Sequence, residues 1–401
     1  MSKKGCYTDG IWYIFVSMKT DYIPQAQLPR LEQLVAPGKV IVIYGPRRVG
    51  KTTLLSHYAD RVNQDVLFVT GEDISVREYL ESQSLAKLRS FVGTRKLLIV
   101  DEAQYIREIG LNLKMLVDHV PGLKVVATGS SSFDLARASG EPLTGRMYTL
   151  LLLPLAQLEL NAIEAPHETS AALELRLLYG SYPEVVLLDS NSERERYLKE
   201  LVSAYLYKDI LQIEDVRHSD KLNRLLQLLA FQIGKEVSVS ELGTQLGMSK
   251  NTVDRYLDLL EKVFVIYKRR GFSRNPRKEI SKSRRYYFYD NGIRNTLINN
   301  FNPLSLRDDT GMLWENYAVT ERLKANLYLD RQVESAFWRT YTQQEIDLIE
   351  QRGGQLDGFE FKWSPPRSSA APTGWTRSYP DASFTVIHKN NYMPFVRAAN
   401  G

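Results

Sequence analysis

One octet constrains this chain more than any other feature: Gly45-Pro46-Arg47-Arg48-Val49-Gly50-Lys51-Thr52, which fits the pattern G-x-x-x-x-G-K-[ST]. Lys39–Tyr44 before it is apolar and β-branched, and a helical pattern starts at Lys51, so the strand–loop–helix context is present. Gly45 and Gly50 permit backbone angles that L-residues resist, so successive N–H groups can converge on phosphate oxygens. The helix N-terminus near Lys51 adds the positive end of its dipole. A phosphate cradle is therefore expected from Gly45 through Pro46, Arg47, Arg48, Val49, Gly50, Lys51 and Thr52 to Thr53. In it Lys51 reaches the β- and γ-phosphates of a nucleotide, and the Thr52 hydroxyl ligates Mg²⁺.

A second element follows at Leu97-Leu98-Ile99-Val100-Asp101-Glu102. A buried strand carries Asp101 to its C-terminal end, where the carboxylate can hold Mg²⁺ and Glu102 can orient and polarise the attacking water. Val125–Ser131 is a further strand ending in small polar residues, with Ser130 as a candidate γ-phosphate sensor. Val66–Thr70 and Lys124–Thr128 are short apolar runs of the same kind, alternating with helical patterns. Strands separated by helices imply α/β architecture with a parallel sheet covered on both faces.

The chain has 401 residues, which suggests two or three domains, and its 43% apolar and 25% charged content is that of a soluble globular protein. A net charge of +5 is too weak to argue for nucleic acid; the local distribution matters more. The single cysteine, Cys6, excludes an intrachain disulfide and fits a cytoplasmic setting, and with five histidines it argues against structural zinc. The longest early apolar run, Ile11–Met18, is far shorter than the roughly 20 residues that span a bilayer, so no membrane partner is expected. Residues 1–22 read as an N-terminal extension, with Met18 as an alternative start.

The expected organisation is an ATPase core at 23–155, a helical lid-like region at 156–235, a winged-helix unit at 236–300, a linker around Phe301–Thr310 and a final unit at 310–401. In Val237–Leu257, Ser240 is placed to cap one helix, Gly247 to make the turn and Ser249 to cap a second helix. Lys250, Asn251, Thr252 and Arg255 then form an outer face suited to a DNA groove. Phe264–Arg270 and Tyr286–Tyr289 flank a basic loop, and Arg269, Arg270, Arg274, Arg277 and Lys278, with Lys282, Arg284 and Arg285 nearby, would suit a phosphate backbone. The alternative use of such a unit is subunit packing.

The last unit reads as an amphipathic helix over Gly311–Leu323 bearing Glu315, then strands at Val333–Arg339, Gln344–Glu350 with Asp347, and Gly358–Trp363 with Glu360 and Lys362. This order matches the PD-(D/E)xK nuclease constellation. Asp347 and Glu360 could share Mg²⁺ or Mn²⁺, with Lys362 activating water and Glu315 nearby. The alternatives are a restriction-endonuclease-like α/β fold kept only for binding, or a cross-strand ion pair.

Taken together, the two nucleotide motifs, Asp101-Glu102-Ala103-Gln104 and Thr128-Gly129-Ser130-Ser131 resemble the AAA+ superfamily of P-loop ATPases. The chain is similar in particular to prokaryotic members whose C-terminal domain is labelled only as of unknown function. The likeness continues through Leu143–Arg146, Leu152–Leu155, Tyr179–Glu184, Tyr207–Ile210, Tyr289–Gly292 and Trp314–Asn316. It implies ATP and Mg²⁺ as ligands and a homo-oligomeric, hexameric ring. In such a ring a neighbour's Arg146 would act as the arginine finger, with Arg137 as competitor. The functions expected are DNA binding or remodelling, including branched DNA, a regulatory or defence switch that binds protein partners, or an ATP-gated nuclease.

Overall fold

The computed structural model describes residues 22–129, 143, 145–203, 219–274 and 283–397. It also gives the backbone of an antiparallel hairpin, Lys4–Thr8 (β1) and Ile11–Phe15 (β2). The first large sheet holds Val40–Tyr44 (β3), Val66–Thr70 (β4), Leu97–Asp101 (β5), Lys124–Gly129 (β6) and Met147–Leu151 (β7). All pairings are parallel, in the order β4-β5-β6-β3-β7. Val40 and Val42 point into one apolar core and Ile41 and Ile43 into another. Burial on both faces is why these strands read as unbroken apolar runs. β6 lies between β3 and β5, so the acidic strand does not neighbour the strand that feeds the cradle.

The second sheet has six strands and runs across the boundary expected at 300–310. Ile266–Phe272 (β8) and Arg284–Phe288 (β9) form an antiparallel hairpin. β8 also pairs in parallel with Glu334–Arg339 (β10), and Glu345–Arg352 (β11), Gln355–Phe361 (β12) and Ser383–Ile387 (β13) complete the order β13-β12-β11-β10-β8-β9. The segment read as a linker is packed: Arg307 and Arg294 both pair with the buried carboxylate of Asp309. The helix bearing Glu315 spans Thr310–Tyr328 and is buried around most of its circumference, including the Glu321–Lys324 ion pair. It is not amphipathic, because it is enclosed by β9, β12 and the helices Pro166–Tyr179 and Tyr392–Val396.

Ahead of the hairpin stand helices Ser219–Phe231, Val239–Leu246 and Lys250–Lys262. Ser249 caps the last of these, accepting the Thr252 N–H, and Gly247 takes the left-handed angle at the turn (φ 59°). The middle helix is capped by Ser238, which accepts the Glu241 N–H, and not by Ser240. Ser238-x-x-Glu241 has the spacing of a capping box, a stronger signal than the serine two residues later.

The halves meet where Tyr179–Pro183 packs on Tyr289–Gly292. The wholly buried Asp290 carboxylate accepts the N–H groups of Ser181 (2.7 Å) and Ile293 (3.2 Å). Burial raises its pKa against the pull of these donors. Asn295 donates to the carbonyls of Leu177 and Leu178, and Asn316 bonds Phe288 at both backbone groups. The packing is so close that a β-carbon at Gly292 would lie 2.1 Å from the Tyr179 carbonyl oxygen. Gly292→Ala is accordingly expected to cost about 1–3 kcal/mol, read as a lower denaturant midpoint. Gly311→Ala, where nothing lies within 4 Å of the added carbon, should leave the midpoint unchanged or raise it.

Candidate nucleotide site

The cradle forms where β3 ends and the helix Lys51–Arg61 begins. Gly45 runs against the neighbouring chain so tightly that a β-carbon would sit 1.9 Å from the Leu152 carbonyl oxygen. Gly50 caps the helix with φ 92°. Arg48 is also left-handed (φ 64°), a strained angle for a side-chain-bearing residue. The Lys51 ammonium is buried within the loop and donates to the carbonyls of Gly45 (2.9 Å) and Pro46 (2.8 Å). Val49 is buried, Arg47 donates to the Tyr105 hydroxyl (3.3 Å), and Thr52 and Thr53 face outward.

Opposite the loop, Asp101 is buried at the end of β5 and receives two hydroxyls. Thr52 donates to Oδ2 (2.7 Å) and Thr128, on the intervening β6, donates to Oδ1. The Glu102 N–H in turn donates to Thr128 Oγ1 (2.9 Å). Thr128 thus fixes both acidic residues, a role the sequence reading gave to no residue. Its signal was a hydroxyl at the end of an otherwise apolar strand. Glu102 is half-buried and left-handed (φ 51°), and the Gln104 amide donates to its carboxylate. Gln25 was also missed: buried, it reaches from before the sheet to the carbonyls of Val49 (3.3 Å) and Gly50 (3.4 Å).

These residues fit a magnesium nucleotide. A hydroxyl and a carboxylate within hydrogen-bond distance are the hard oxygen donors that Mg²⁺ takes, beside a loop closed to any residue but glycine at its first position. Ser130 and Arg137 lie outside the described residues. Arg146 does not approach its own site. The β3–β7 register sets Val40 against Met147, so Arg146 is at the opposite end of the sheet from Gly45. Arg146 pairs there with Asp118 (2.8 Å), and this hydrogen bond holds the Asp118 carboxyl below its ordinary range.

The expected DNA-facing residues divide. Lys250, Asn251 and Arg255 are exposed on one helix, and Thr252 shares a hydrogen bond with Ser249 (2.8 Å). Arg270 and Arg274 are exposed; Arg269 is half-buried over the Tyr267 ring, and Arg277 and Lys278 lie outside the described residues. Other cations of the basic stretch are spent internally: Lys268 on Glu261, Arg284 on Asp254, and Arg285 in the C-terminal core.

The C-terminal carboxylates do converge. Lys362 donates to Glu360 (2.7 Å), and Asp347 and Glu315 both lie within reach of the Arg285 guanidinium. Burial first, then the neighbouring Asp347 charge, pushes the Glu315 carboxyl well above its usual range. Among the described residues, however, no group of three or more His, Cys, Asp or Glu side chains has metal-holding geometry. The cation that stands beside Asp347 and Glu315 in this structure is the Arg285 guanidinium.

Thr128→Val tests the acidic end of the nucleotide site. It leaves the Glu102 N–H without its partner, so unfolding should cost about 1–3 kcal/mol less, whereas exposed Thr53→Val should change stability by less than about 0.5 kcal/mol. Chemical denaturation of both variants gives the comparison.

Residues 37–161 match the family described as AAA domain. Residues 170–304 match a domain of unknown function (DUF8612) and residues 310–395 another (DUF4143). An uncharacterised protein of Mycobacterium tuberculosis is 26% identical over 336 residues, covering 83% of this chain and 72% of that one. An uncharacterised protein of Methanocaldococcus jannaschii is 25% identical over 338 residues, covering 80% and 74%. The solved Walker-type ATPase of Pyrococcus abyssi is 17% identical, covers 68% of this chain and 94% of its own, and superposes with a TM-score of 0.45, too loose to transfer any detail. No helix of the described residues is long and apolar enough to cross a membrane. The matched family and the converging Lys51, Thr52, Asp101 and Glu102 agree: the chain carries a P-loop ATPase domain of the AAA type.

Proposed function

We propose that this protein is a ring-forming AAA+ ATPase whose hydrolysis cycle acts on DNA held by its C-terminal half. The observation that carries the reading is Asp101, clasped between the hydroxyls of Thr52 and Thr128 beside the buried Lys51. Thr52 and Asp101 would hold Mg²⁺, which supplies positive charge to the triphosphate when bound. Lys51 leaves its carbonyl partners to meet the phosphoryl oxygens. Glu102, steadied by Gln104 and Thr128, orients the attacking water. Stabilisation of developing negative charge falls to an arginine from outside the subunit. Arg146 is our candidate for it, being remote from its own cradle and half-exposed.

Support for DNA comes from the three helices followed by the β8–β9 hairpin, an order that suits a winged helix, with Lys250, Asn251 and Arg255 outward. The reading as a switch with protein partners has its own observation. Phe264, left-handed at φ 59°, lies against Tyr44 at 5.6 Å between ring centroids, and Val263–Val265 line a small cavity with Pro46 and Arg47. Nucleotide exchange at the loop would be felt there with or without DNA.

Nucleotide binding, turnover and DNA binding each test the proposal. Lys51→Ala should weaken ATP binding by about 100-fold in calorimetry, and Glu102→Gln should bind ATP while turning over about 100-fold slower or worse. Arg146→Ala should lose about 1,000-fold in turnover, with partial recovery on mixing with Glu102→Gln; no recovery removes the shared site. ATPase rate should rise with protein concentration and with duplex, single-stranded or four-way DNA. Lys250→Ala with Arg255→Ala should lower the salt slope of DNA binding by about one for each phosphate that is no longer neutralised. Hydrolysis indifferent to every DNA favours the switch.

A further inference from the structure

We infer that Arg285 occupies the position of the divalent cation in the nuclease-like C-terminal unit, which therefore takes up neither Mg²⁺ nor Mn²⁺ and does not cleave DNA. Arg285 arrives from β9, outside the stretch that carries the carboxylates, and is 4% exposed. Its Nη1 lies 3.3 Å from Asp347 Oδ1 and 3.9 Å from Glu315 Oε1, and its Nη2 lies 2.8 Å from Glu345 Oε2. The guanidinium carbon sits 4.6 Å from the Phe337 ring centroid.

Each of the three carboxylates a metal would need already has an oxygen engaged in a hydrogen bond. Asp347 Oδ2 accepts the Phe361 N–H (3.0 Å), Glu315 Oε1 accepts the Tyr287 hydroxyl (2.8 Å), and Glu360 Oε1 accepts from Lys362 (2.7 Å). Backbone closes the space beside Glu315, since a β-carbon at Gly234 would lie 2.7 Å from Oε1. Mg²⁺ and Mn²⁺ require oxygen ligands gathered around one point with room for water. Here a planar fork spreads its donors over three carboxylates instead, and its charge repels any second cation. Because β8 pairs with β10, the same fork ties the basic hairpin to the C-terminal sheet.

The test is Mn²⁺ titration of the full chain without nucleotide, followed by electron paramagnetic resonance, with nicking of supercoiled plasmid in parallel. Wild-type protein should show no Mn²⁺ site that Asp347→Asn removes, and no Mn²⁺-dependent nicking above the Asp347→Asn background. Arg285→Met should gain a site at least ten-fold tighter than any in wild type, lost again in Arg285→Met/Asp347→Asn. Arg285→Lys, which keeps the charge, should gain none. A wild-type site or nicking activity abolished by Asp347→Asn overturns the inference, as does a folded Arg285→Met that gains nothing. Should Arg285→Met fail to fold, the wild-type titration and nicking assay decide alone.

Discussion

The joint between the two halves of this chain is built around a buried carboxylate. Asp290 begins the helix Asn291–Leu297 by capping it and, with its other oxygen, takes the backbone N–H of Ser181 from the segment that follows the ATPase sheet. A carboxylate so far from water is costly unless its acceptors are filled, so its partners are obligatory. Around it the apolar core is continuous, running from Leu28 and the helix of Lys51 through Leu177 and Leu226 to Val396. Beside that joint Phe264 lies against Tyr44, and Asp290 and Ile293 line the same small cavity as Pro46 and Arg47.

At the loop itself the chemistry depends on strand order. Inserting β6 between β3 and β5 gives Asp101 a hydroxyl on each side, Thr52 from the loop helix and Thr128 from the middle strand. Without the inserted strand the acidic pair would have no neighbour to fix the Glu102 backbone. The same order places β7 at the sheet edge, with Arg146 at the end of the sheet opposite the Gly45–Thr53 loop.

Much of this was legible in the sequence, for identifiable reasons. The cradle and the acidic strand are local patterns, and strands buried on both faces announce themselves as unbroken apolar runs such as Leu97–Val100. The turn at Gly247 and the cap at Ser249 are local too. The order of strands is not local, and with it went the role of Thr128. Nor could spacing reveal that Lys268, Arg284 and Arg285 were already engaged, because Asp254 and Glu261 are set by helix packing and Asp347 by the pairing of β10 with β8. The stretch read as basic surface is partly the inside of the protein. The motifs Tyr179–Pro183 and Tyr289–Gly292 meet at the joint, and Asn316 of Trp314–Asn316 holds Phe288 and Asn291 beside it.

The six-stranded sheet also determines how the molecule can be taken apart. Cutting the chain between 300 and 310, where the motifs change character, would strip β8 from β10 and leave a row of unpaired backbone groups along an open edge. The same cut would strand Asp347, Glu345 and Glu315 without their guanidinium. A fragment beginning at 310 is therefore not a self-sufficient piece of protein but four strands of a six-stranded sheet, prone to self-association. The sheet keeps all six of its strands only in a piece that carries the β8–β9 hairpin with it.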